Sequence, residues 1–362
     1  MIEPLTTYVA AGVDTENEEA GLQSLISRIR KTWPDRPGIG AVKLDVGFFA
    51  NVIDIGGKGL AFTSDGVGTK ALIAQMMNRY DTIGIDCVAM NVNDLLCVGA
   101  TPLSMVDYIA VRNADPYLLD EISKGLAAGA CAARISIPGG EIAQLPDIIA
   151  DHHGGHAFDL AGSAVGLVDL DKILIGQDIR DGDVVVGIES NGVHSNGVTL
   201  ARRVLFEQAQ YNVHTVLPGL QTSIGEELLR PTHIYVSEAL QILEKIPVKA
   251  LVHITSDGFL NLARVHAPVG FVIEELPPIP PIFAAIQQAG SVPDEEMFRV
   301  FNMGVGFCVV VAGEYVEQVI SLVHSHGKKA QRIGYAVQDE QRHVVIEPVA
   351  LIGKGKTFVR SR

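Results

Sequence analysis

Hydrophobic and polar positions along the chain follow two alternating periods. A period of two, typical of half-buried strands, occurs at Gly59–Ser64, Leu103–Val111 and Phe158–Val168. Between these segments, Val88–Cys97 and Pro116–Ala133 have the 3.6-residue period of amphipathic helices. This interleaving of strands and helices favours an α/β or α+β fold.

A polar, turn-rich stretch at Asp169–Asp183 interrupts the pattern. Because 362 residues are enough for two domains, we place a boundary near residue 170, with one domain over 1–170 and an α/β domain over 171–362. The same two periods resume after the boundary. The segments predicted there are strands at Val184–Ile188 and Phe307–Ala312, and helices at Asn196–Gln208, Pro231–Glu244 and Glu314–Ser325.

Composition and charge narrow the class of protein. Hydrophobic residues make up 48% of the chain, which excludes a disordered protein. The formal net charge of −14 argues against nucleic acid or an anionic membrane as the main partner. The longest apolar run, Phe307–Ala312, has the length of a strand and is too short to span a bilayer.

The N-terminal charges and the cysteines indicate the compartment. Several acidic side chains precede the first basic one, Arg28, whereas a targeting sequence carries basic residues early. Cys87, Cys97, Cys131 and Cys308 stand far apart, without a C-x-x-C pair or a disulfide framework. We expect reduced thiols, no zinc site and a cytoplasmic protein.

The segment at residues 63–70 has the highest density of groups suited to phosphate chemistry. Its carboxylate can hold Mg²⁺, its glycines let backbone N–H groups approach phosphate oxygens, and its lysine neutralises charge at a helix start. An Asp-Gly turn followed by an ordinary helix cap is the structural alternative. The candidate residues are Asp65, Gly66, Gly68, Thr69 and Lys70.

Two further carboxylates lie eight residues apart on the next predicted helix. Because eight residues turn an α-helix by about 800°, Asp86 and Asp94 project within roughly 80° of each other. Asp94 stands among apolar neighbours, where a carboxylate needs a cation or hydrogen bonds. We expect Asp94 to join Asp65 in holding one Mg²⁺. The alternative is a helix cap at Asp86 and a partly exposed polar stripe.

A polar loop, Ser190–Gly197, follows the predicted strand Val184–Ile188. It offers an imidazole, hydroxyl groups, amides and a helix N-terminus to a polar or phosphorylated ligand. A long capping loop explains Asn196 well and His194 poorly. His194 is therefore a candidate general acid/base or hydrogen-bond donor to the substrate.

Other features suggest sites but have ordinary explanations. Asp151–His156 has the composition of a transition-metal site, although a solvated loop is expected there. Leu276–Pro281 is interpreted as a proline-rich connector. Gly355–Thr357 is the nearest approach to a Walker A loop, but Ala350 replaces the first glycine of that motif. The basic tail Lys354–Arg362 indicates a solvated end.

Taken in order, these segments resemble the phosphoribosylformylglycinamidine cyclo-ligase family. The start, Tyr8-x-x-Ala11-Gly12-Val13-Asp14, is similar as well, so the resemblance covers nearly the whole chain. It implies a homodimer whose N-terminal sheets pair across the axis into a barrel, with an ATP site in the cleft between the domains. The matching blocks are TSDGVGTK, GIDCVAMNVNDLL, FDLAGSAVG, SNGVHSNGVTLARR, RPTHIYV, HIT at 253–255 and EMFRVFNMGVG.

The reaction of that family closes an imidazole ring. ATP phosphorylates the amide oxygen of formylglycinamidine ribonucleotide, and a nitrogen of the same molecule attacks that carbon as phosphate leaves. By resemblance, Mg²⁺ is bound by Asp65 and Asp94, and the catalytic residues are Glu141, His194 and Lys70. The residues expected to bind the nucleotide and its metal are Asp65, Gly66, Gly68, Thr69, Lys70, Asp94, Asn196 and Asn302.

The chain departs from the family pattern in three loops. Glu141 is retained, but Gln144 stands where the family has a second carboxylate. Asp257 brings a negative charge into a turn that resembles a phosphate-contacting one, and Lys43 stands in place of a glycine-rich stretch. These changes leave two alternatives open: another ATP-dependent enzyme of the same superfamily with a different acceptor, or a non-catalytic nucleotide-binding paralogue.

Overall fold

The computed structural model describes residues 7, 9–12, 15–35, 37–151 and 156–361. These residues form two β-sheets with associated helices, and the strands of the first sheet all precede those of the second along the chain. The prediction of a two-domain α+β protein is confirmed. Tyr8, Val13 and Asp14 of the family-like start, and residues 152–155 of the histidine-rich loop, lie outside the described residues.

The first sheet is mixed and has helices packed on one face. Its strand order is β1-β2-β5-β3-β4; β4 runs parallel to β3, and the other pairs are antiparallel. Its strands are β1 (Asn51–Asp54), β2 (Lys58–Gly66), β3 (Thr101–Val111), β4 (Gly140–Gln144) and β5 (Phe158–Asp169). The helices of this half of the chain are α1 (Thr15–Ile29), α2 (Lys70–Met77), α3 (Ile83–Cys97) and α4 (Pro116–Ala133).

A pair of glycines brings α3 and α4 into direct contact. A Cβ atom on Gly84 would lie 2.1 Å from the Leu126 nitrogen, and one on Gly125 would lie 2.6 Å from the Asp81 oxygen. Side chains at these positions would push the helices apart. The contact fixes the position of α3, which carries both Asp86 and Asp94.

The second sheet holds the C-terminal half together. Its strand order is β13-β12-β11-β8-β10-β6-β9-β7, and β9 is buried along its whole length between β6 and β7. Its strands are β6 (Val184–Glu189), β7 (Ala250–His253), β8 (Val269–Ile273), β9 (Val305–Val311), β10 (Ala330–Gln338), β11 (Val344–Ile346), β12 (Leu351–Lys354) and β13 (Thr357–Arg360). The α-helices here are α5 (Val198–Arg202), α6 (Ile224–Leu229), α7 (Val236–Lys245), α8 (Pro281–Gly290), α9 (Asp294–Val300) and α10 (Val316–Ser325).

Two helices expected in this half have different bounds or geometry, and the C-terminal tail is more ordered than expected. The helix expected at Pro231–Glu244 begins only at Val236, because N–H groups of the preceding segment bond to side chains of the first domain. The helix expected at Asn196–Gln208 is α-helical only over α5 and continues as a π-helical segment. The tail expected to be solvated is mostly exposed, but it also forms strand β13, paired with β12.

Within the part of the chain that the structure describes, we find no helix of the length and apolar character needed to cross a membrane. The proline-rich segment Leu276–Pro281 connects β8 to α8, as its composition predicted.

Candidate active site

Asp65 stands near the end of β2, where Asn91 of α3 holds the backbone in place. The Asn91 side chain accepts a hydrogen bond from the Asp65 N–H and donates one to the Asp65 carbonyl, both at 3.1 Å. A third bond, from Asn91 Nδ2 to the Cys87 carbonyl at 2.9 Å, ties this clamp to the helix. The strand end is thus fixed against α3, and its carboxylate faces the helix side of the sheet.

A second carboxylate and a histidine from the other domain lie beside Asp65. His253, at the end of β7, donates from Nδ1 to Asp94 Oδ1 at 2.8 Å, since a carboxylate oxygen can only accept. The His253 side chain is 1% exposed and that of Asp94 15%. Asp65 and Asp94 therefore form an acidic pair of the first domain, at the junction where His253 of the second domain contacts Asp94.

The electrostatics of this pair are unfavourable. Burial, and next the charge of Asp94, raise the pKa of Asp65 to about 6, against the lowering effects of the Gly66 N–H and of His253. The Gly66 N–H donates to Asp65 Oδ1 at 2.7 Å. Two carboxylates held this close favour a bound cation, which would stabilise both charges.

The donor set fits Mg²⁺ with an incomplete protein shell. Carboxylate oxygens are the ligands that Mg²⁺ prefers, and the ion commonly takes one or two carboxylates plus phosphate oxygens and water. Among the described residues, no group of three His, Cys, Asp or Glu side chains is arranged to hold a metal. Asp65 and Asp94 would therefore hold the ion together with ligand oxygens.

The structure places Lys70 away from this pair. Its ammonium group is fully buried, donating to Asp86 Oδ1 at 2.9 Å and to the Arg230 carbonyl at 2.6 Å. Burial lowers the pKa of Lys70, and the Asp86 charge acts against this effect. A phosphate-contacting role for Lys70 has no support from this geometry; its contacts are those of a structural ion pair.

Asp86 joins the two domains. Besides Lys70, its Oδ1 accepts hydrogen bonds from Ser195 Oγ at 3.1 Å and from the Thr232 N–H and Oγ1, both at 2.7 Å. The helix-cap alternative for Asp86 is wrong, because the helix begins at Ile83 with Thr82 as its N-cap residue. Asp86 and Asp94 do share the helix face that the spacing predicted, since both contact the second domain.

His194 lies in a strained and enclosed position. Its φ of +62° is left-handed, which is uncommon for a residue other than glycine. The imidazole is buried, and neither ring nitrogen has a hydrogen-bond partner among the described residues. Burial, with help from the charges of His233 and His253, lowers the pKa of His194 well below its ordinary value. The ring is therefore neutral, and both of its nitrogens are buried without a partner among the described residues.

Asn302 supports the loop that carries His194. Its Nδ2 donates to the carbonyls of Gly192 at 2.9 Å and Val193 at 3.3 Å. Its Oδ1 accepts from Ser190 Oγ at 2.7 Å and from a following backbone N–H. Both ends of this buried amide are engaged, so its contacts are those of a loop support and not of a cleft wall.

The remaining residues of the predicted phosphate loop lie at the start of α2. Gly68 is left-handed, with a φ of +56°, and a Cβ there would meet no described atom within 4 Å. Gly66 closes strand β2, and Thr69 Oγ1 lies 2.8 Å from Thr199 Oγ1 of α5. Asn196 makes one weak contact, from its Nδ2 to Met90 Sδ at 3.9 Å.

Glu141 is not brought to the acidic pair within one chain. In the sheet, Glu141 pairs with Tyr108, which pairs with Ala161 and then with Gly66. Asp65 precedes Gly66, the last residue of this row, so the Asp65 side chain points to the face of the sheet opposite to that of Glu141. The exposed Glu141 lies on the face away from α3.

The departures from the family pattern have local partners. Arg264 Nη2 donates to Asp257 Oδ2 at 2.6 Å, so a base neutralises the extra negative charge of this turn. Lys43 Nζ lies 3.3 Å from Asp54 Oδ2, and Gln144 accepts a long hydrogen bond from the Ala114 N–H at 3.4 Å. The altered loops are therefore integrated into the fold.

The sequence analysis did not assign a role to three polar residues of the site, which are Asn91, Asn93 and His253. Asn93 accepts from the Tyr235 N–H at 3.0 Å and donates to the His233 carbonyl at 2.9 Å, which joins the domains. Asn91 and Asn93 were visible as polar positions on an otherwise apolar helix, a signal of tertiary hydrogen bonds. His253 was visible only as part of a family-like block.

Both halves of the chain match known protein families. Residues 49–168 match the family model described as "AIR synthase related protein, N-terminal domain", and residues 180–347 match that described as "AIR synthase related protein, C-terminal domain". Among solved structures, thiamine-monophosphate kinase from Stenotrophomonas maltophilia has a TM-score of 0.60 at 21% identity, covering 90% of this chain and 95% of that one. An E. coli hydrogenase maturation protein has a TM-score of 0.55 at 17% identity, with 84% and 85% coverage. These structures share the fold.

Relatives found by sequence have a much higher identity to this chain than these solved structures do. A phosphoribosylformylglycinamidine cyclo-ligase of Methanobrevibacter smithii is 46% identical over 338 residues, which is 93% of this chain and 96% of the relative. That of Thermococcus kodakarensis is 47% identical over 323 residues, 89% of this chain and 93% of the relative. Similarity at this level runs through both domains and through the junction that holds the acidic pair. The chain belongs to the phosphoribosylformylglycinamidine cyclo-ligase family.

Proposed function

We propose that this protein catalyses the ATP-dependent closure of formylglycinamidine ribonucleotide to aminoimidazole ribonucleotide, with release of ADP and phosphate. The observation that carries the proposal is the 46% sequence identity to a phosphoribosylformylglycinamidine cyclo-ligase, over 96% of the length of that relative. In this chain, the acidic pair at the domain junction has the ligand chemistry that the metal of a bound nucleoside triphosphate requires. We further propose that the protein is cytoplasmic, as expected for a step of purine synthesis.

The first half of the reaction needs the ATP phosphates to be oriented and their charge to be neutralised. We propose that Asp65 and Asp94 hold Mg²⁺, which when bound neutralises charge on the transferring phosphoryl group. Gly68 and Thr69 present the N-terminus of α2, where backbone N–H groups and the helix dipole favour phosphate oxygens. In this proposal a bound cation would keep Asp65 ionised, and Asp65 would not be the proton acceptor of the reaction.

The second half of the reaction needs a proton acceptor near the attacking nitrogen. We propose His194 for this role, because its neutral imidazole has two nitrogens without described partners. Asn302 would hold the loop, and Asn196 would contact the substrate from the same loop. Lys70 and Glu141 have no such geometric support: Lys70 is proposed to fix the domain junction, and a catalytic role for Glu141 would require a second subunit.

We propose a homodimer formed through the exposed face of the first sheet, as the family resemblance implies. Phe62, Val106 and Tyr108 on this face are 37%, 45% and 45% exposed. Phe62 and Val106 lie on strands β2 and β3, whose sheet carries helices on its other face. An apolar sheet face of this kind is covered when two sheets close into a barrel.

Product formation provides the test. The purified protein is incubated with Mg·ATP, with and without formylglycinamidine ribonucleotide, and ADP and aminoimidazole are measured in the same tube. We expect equal amounts of both products, and only when the substrate is present. ATP binding without turnover would contradict the proposal and favour a nucleotide-binding paralogue; ADP formation with another acceptor would favour a different enzyme of the superfamily.

A further inference from the structure

Tyr235, the residue before α7, is fully buried at the junction between the domains. Its backbone N–H donates to Asn93 Oδ1 of α3 at 3.0 Å, and Asn93 directly precedes Asp94 of the acidic pair. Its hydroxyl group donates to the carbonyl of Glu189, the last residue of β6, at 2.8 Å. One residue is thus bonded both beside the acidic pair and at the end of the strand that leads to His194.

Gly306 of β9 allows the Tyr235 hydroxyl group and the His194 ring to lie against the same stretch of backbone. A Cβ atom on Gly306 would lie 2.1 Å from Tyr235 Oη and 2.7 Å from His194 Cε1. Both distances are shorter than any van der Waals contact, so the two side chains occupy these positions only because residue 306 has no side chain. Tyr235 Oη and His194 Cε1 are consequently neighbours, and the two ring centroids are 6.5 Å apart.

The hydroxyl group of Tyr235 leaves both nitrogens of His194 unoccupied. Its proton is used in the bond to the Glu189 carbonyl, since a carbonyl oxygen can only accept. Burial, and next the charges of Glu238 and Glu189, raise the pKa of Tyr235 well above its ordinary value, so the hydroxyl group stays neutral. Tyr235 therefore supplies a packing surface for the His194 ring and no proton.

The left-handed backbone of His194 needs such support. A residue other than glycine keeps this conformation only where its surroundings impose it. Asn302 holds the loop by two carbonyls just before His194, and Tyr235 holds the strand end where the loop begins. The Tyr235 ring is itself fixed by stacking on Phe307 of β9, with centroids 5.1 Å apart and an interplanar angle of 28°. The support for His194 is therefore rigid.

We propose that Tyr235 is a positioning residue for His194, which it holds at a fixed place relative to Asp94 of the other domain. The inference rests on the function proposed above, in which Asp94 serves phosphoryl transfer and His194 serves ring closure. Both events take place at one carbon of the substrate, so the residues that serve them must keep their separation. A displacement of a catalytic group by 1 Å can lower the rate about 100-fold.

The test removes the hydroxyl group and nothing else. Tyr235→Phe keeps the ring, its stacking on Phe307 and the backbone bond to Asn93. We expect kcat for aminoimidazole formation to fall about tenfold, with the KM for ATP changed less than twofold. If Tyr235 acts through His194, the substitution should cause no further loss in a His194→Ala background.

Tyr80→Phe is the matched control. Tyr80 is equally buried but lies in the first domain, where its ring packs on Tyr117 and Phe158 and its hydroxyl group accepts from the His156 N–H at 3.3 Å. Both substitutions therefore delete one buried tyrosine hydroxyl group that has one backbone partner. We expect Tyr80→Phe to retain the kcat of the wild type, whatever its effect on urea denaturation.

Three results would overturn the inference. The first is an unchanged kcat in Tyr235→Phe, and the second is an equal fall of kcat in Tyr80→Phe, which would indicate a general effect of lost stability. The third is a loss of the same factor in the His194→Ala background, which would show that Tyr235 acts on another group.

A measurement on the unliganded protein separates this inference from the proposed function. With ¹³C-labelled histidine, the Cε1–H resonance of His194 is identified by its absence in His194→Ala. We expect one sharp resonance in the wild type and in Tyr80→Phe, and a broadened or doubled one in Tyr235→Phe, because the ring is no longer held in one place. If the wild type forms no aminoimidazole, the proposed function fails and this resonance decides: the expected difference supports the positioning of His194, and three equally sharp resonances overturn it.

Discussion

Asp86 and Asp94 lie about two turns apart on one face of α3, yet their surroundings are opposite. Asp86 is fully buried beside the ammonium group of Lys70 and accepts hydrogen bonds from the second domain. Asp94 accepts from His253 and faces Asp65, whose pKa its charge helps to raise. One face of α3 thus carries Asp86, whose charge is balanced by Lys70, and Asp94, whose charge repels that of Asp65.

The difference separates stability from function. A buried ion pair with partners from both domains fixes their geometry, and removal of one partner leaves an isolated buried charge. Two carboxylates held close together destabilise the folded protein, and such pairs are retained where a ligand supplies the missing positive charge. We expect substitutions at Asp86 to act mainly on stability and substitutions at Asp65 mainly on activity.

The largest expected effect is that of Asp86→Ala. This substitution leaves Lys70 charged and buried, and removes the acceptor of the Thr232 hydrogen bonds. We expect the free energy of unfolding to fall by about 3–5 kcal/mol, measured by urea denaturation. The double variant Lys70→Met, Asp86→Leu removes both charges and should recover most of that loss. A change below about 1 kcal/mol for Asp86→Ala would contradict the interpretation of this ion pair as a stabilising contact at the junction.

Asp65→Asn should have the opposite effect on stability. A pKa raised from 3.8 to about 6 means that the folded protein binds more protons than the unfolded chain between these values. The unfolding free energy of the wild type therefore falls as the pH rises through this window, by about 3 kcal/mol at most. Without nucleotide at pH 7, the neutral Asp65→Asn variant should be more stable than the wild type and should lose Mg·ATP-dependent turnover.

The control for this prediction is the same comparison of wild type and Asp65→Asn at low pH. At pH 3.5, Asp65 is largely protonated in both states, so the wild type and Asp65→Asn should have similar stability. Thermal unfolding at pH 3.5, 5 and 7 measures the difference. Equal stability at pH 7 would show that the acidic pair is not strained, and unchanged turnover would remove Asp65 from the metal site.

Much of the fold was predictable because it depends on local periodicity. The expected strand Gly59–Ser64 and helix Val88–Cys97 lie within β2 and α3, and Gly99, with a φ of +75°, follows the end of that helix. The start of α7 was not predictable. The N–H groups of Thr232 and Tyr235 bond to Asp86 and Asn93 of the first domain, and such a contact leaves no local signal.

The site was predictable in its residue types but not in its pairings. The helical spacing placed Asp86 and Asp94 on one face, which the structure confirms. Nothing local distinguishes the carboxylate that meets Lys70 from the one that meets Asp65, because the choice is made by how α2 and β2 pack on α3. For the same reason Lys70, at a helix start after two glycines, suggested a phosphate ligand although its ammonium group is buried.

A smaller effect is expected at the histidine that supports Asp94. His253→Leu removes the 2.8 Å hydrogen bond to Asp94 and leaves that carboxylate beside Asp65 with less compensation. We expect a loss of about 2 kcal/mol in urea denaturation. His253→Asn is the matched variant, because its amide can occupy the position of Nδ1, and it should retain most of the stability. Equal losses in both variants would indicate packing of the ring, and not its hydrogen bond, as the cause.

The smallest expected effect concerns His233, next to the same junction. Burial, and next the charge of Lys328, lower the pKa of His233 from 6.5 to about 4. Between these values the unfolded chain binds a proton that the folded protein does not, so the unfolding free energy falls as the pH falls through this window. The full difference is about 3 kcal/mol, and solvent screening at this half-buried ring reduces it to about 1–2 kcal/mol. Urea denaturation of the wild type and His233→Asn from pH 6.5 to 4.5 measures it, and the wild type should lose stability more steeply. Parallel curves would show that the neutral form of His233 is not favoured by its surroundings, and would leave the acid sensitivity of the junction to His194.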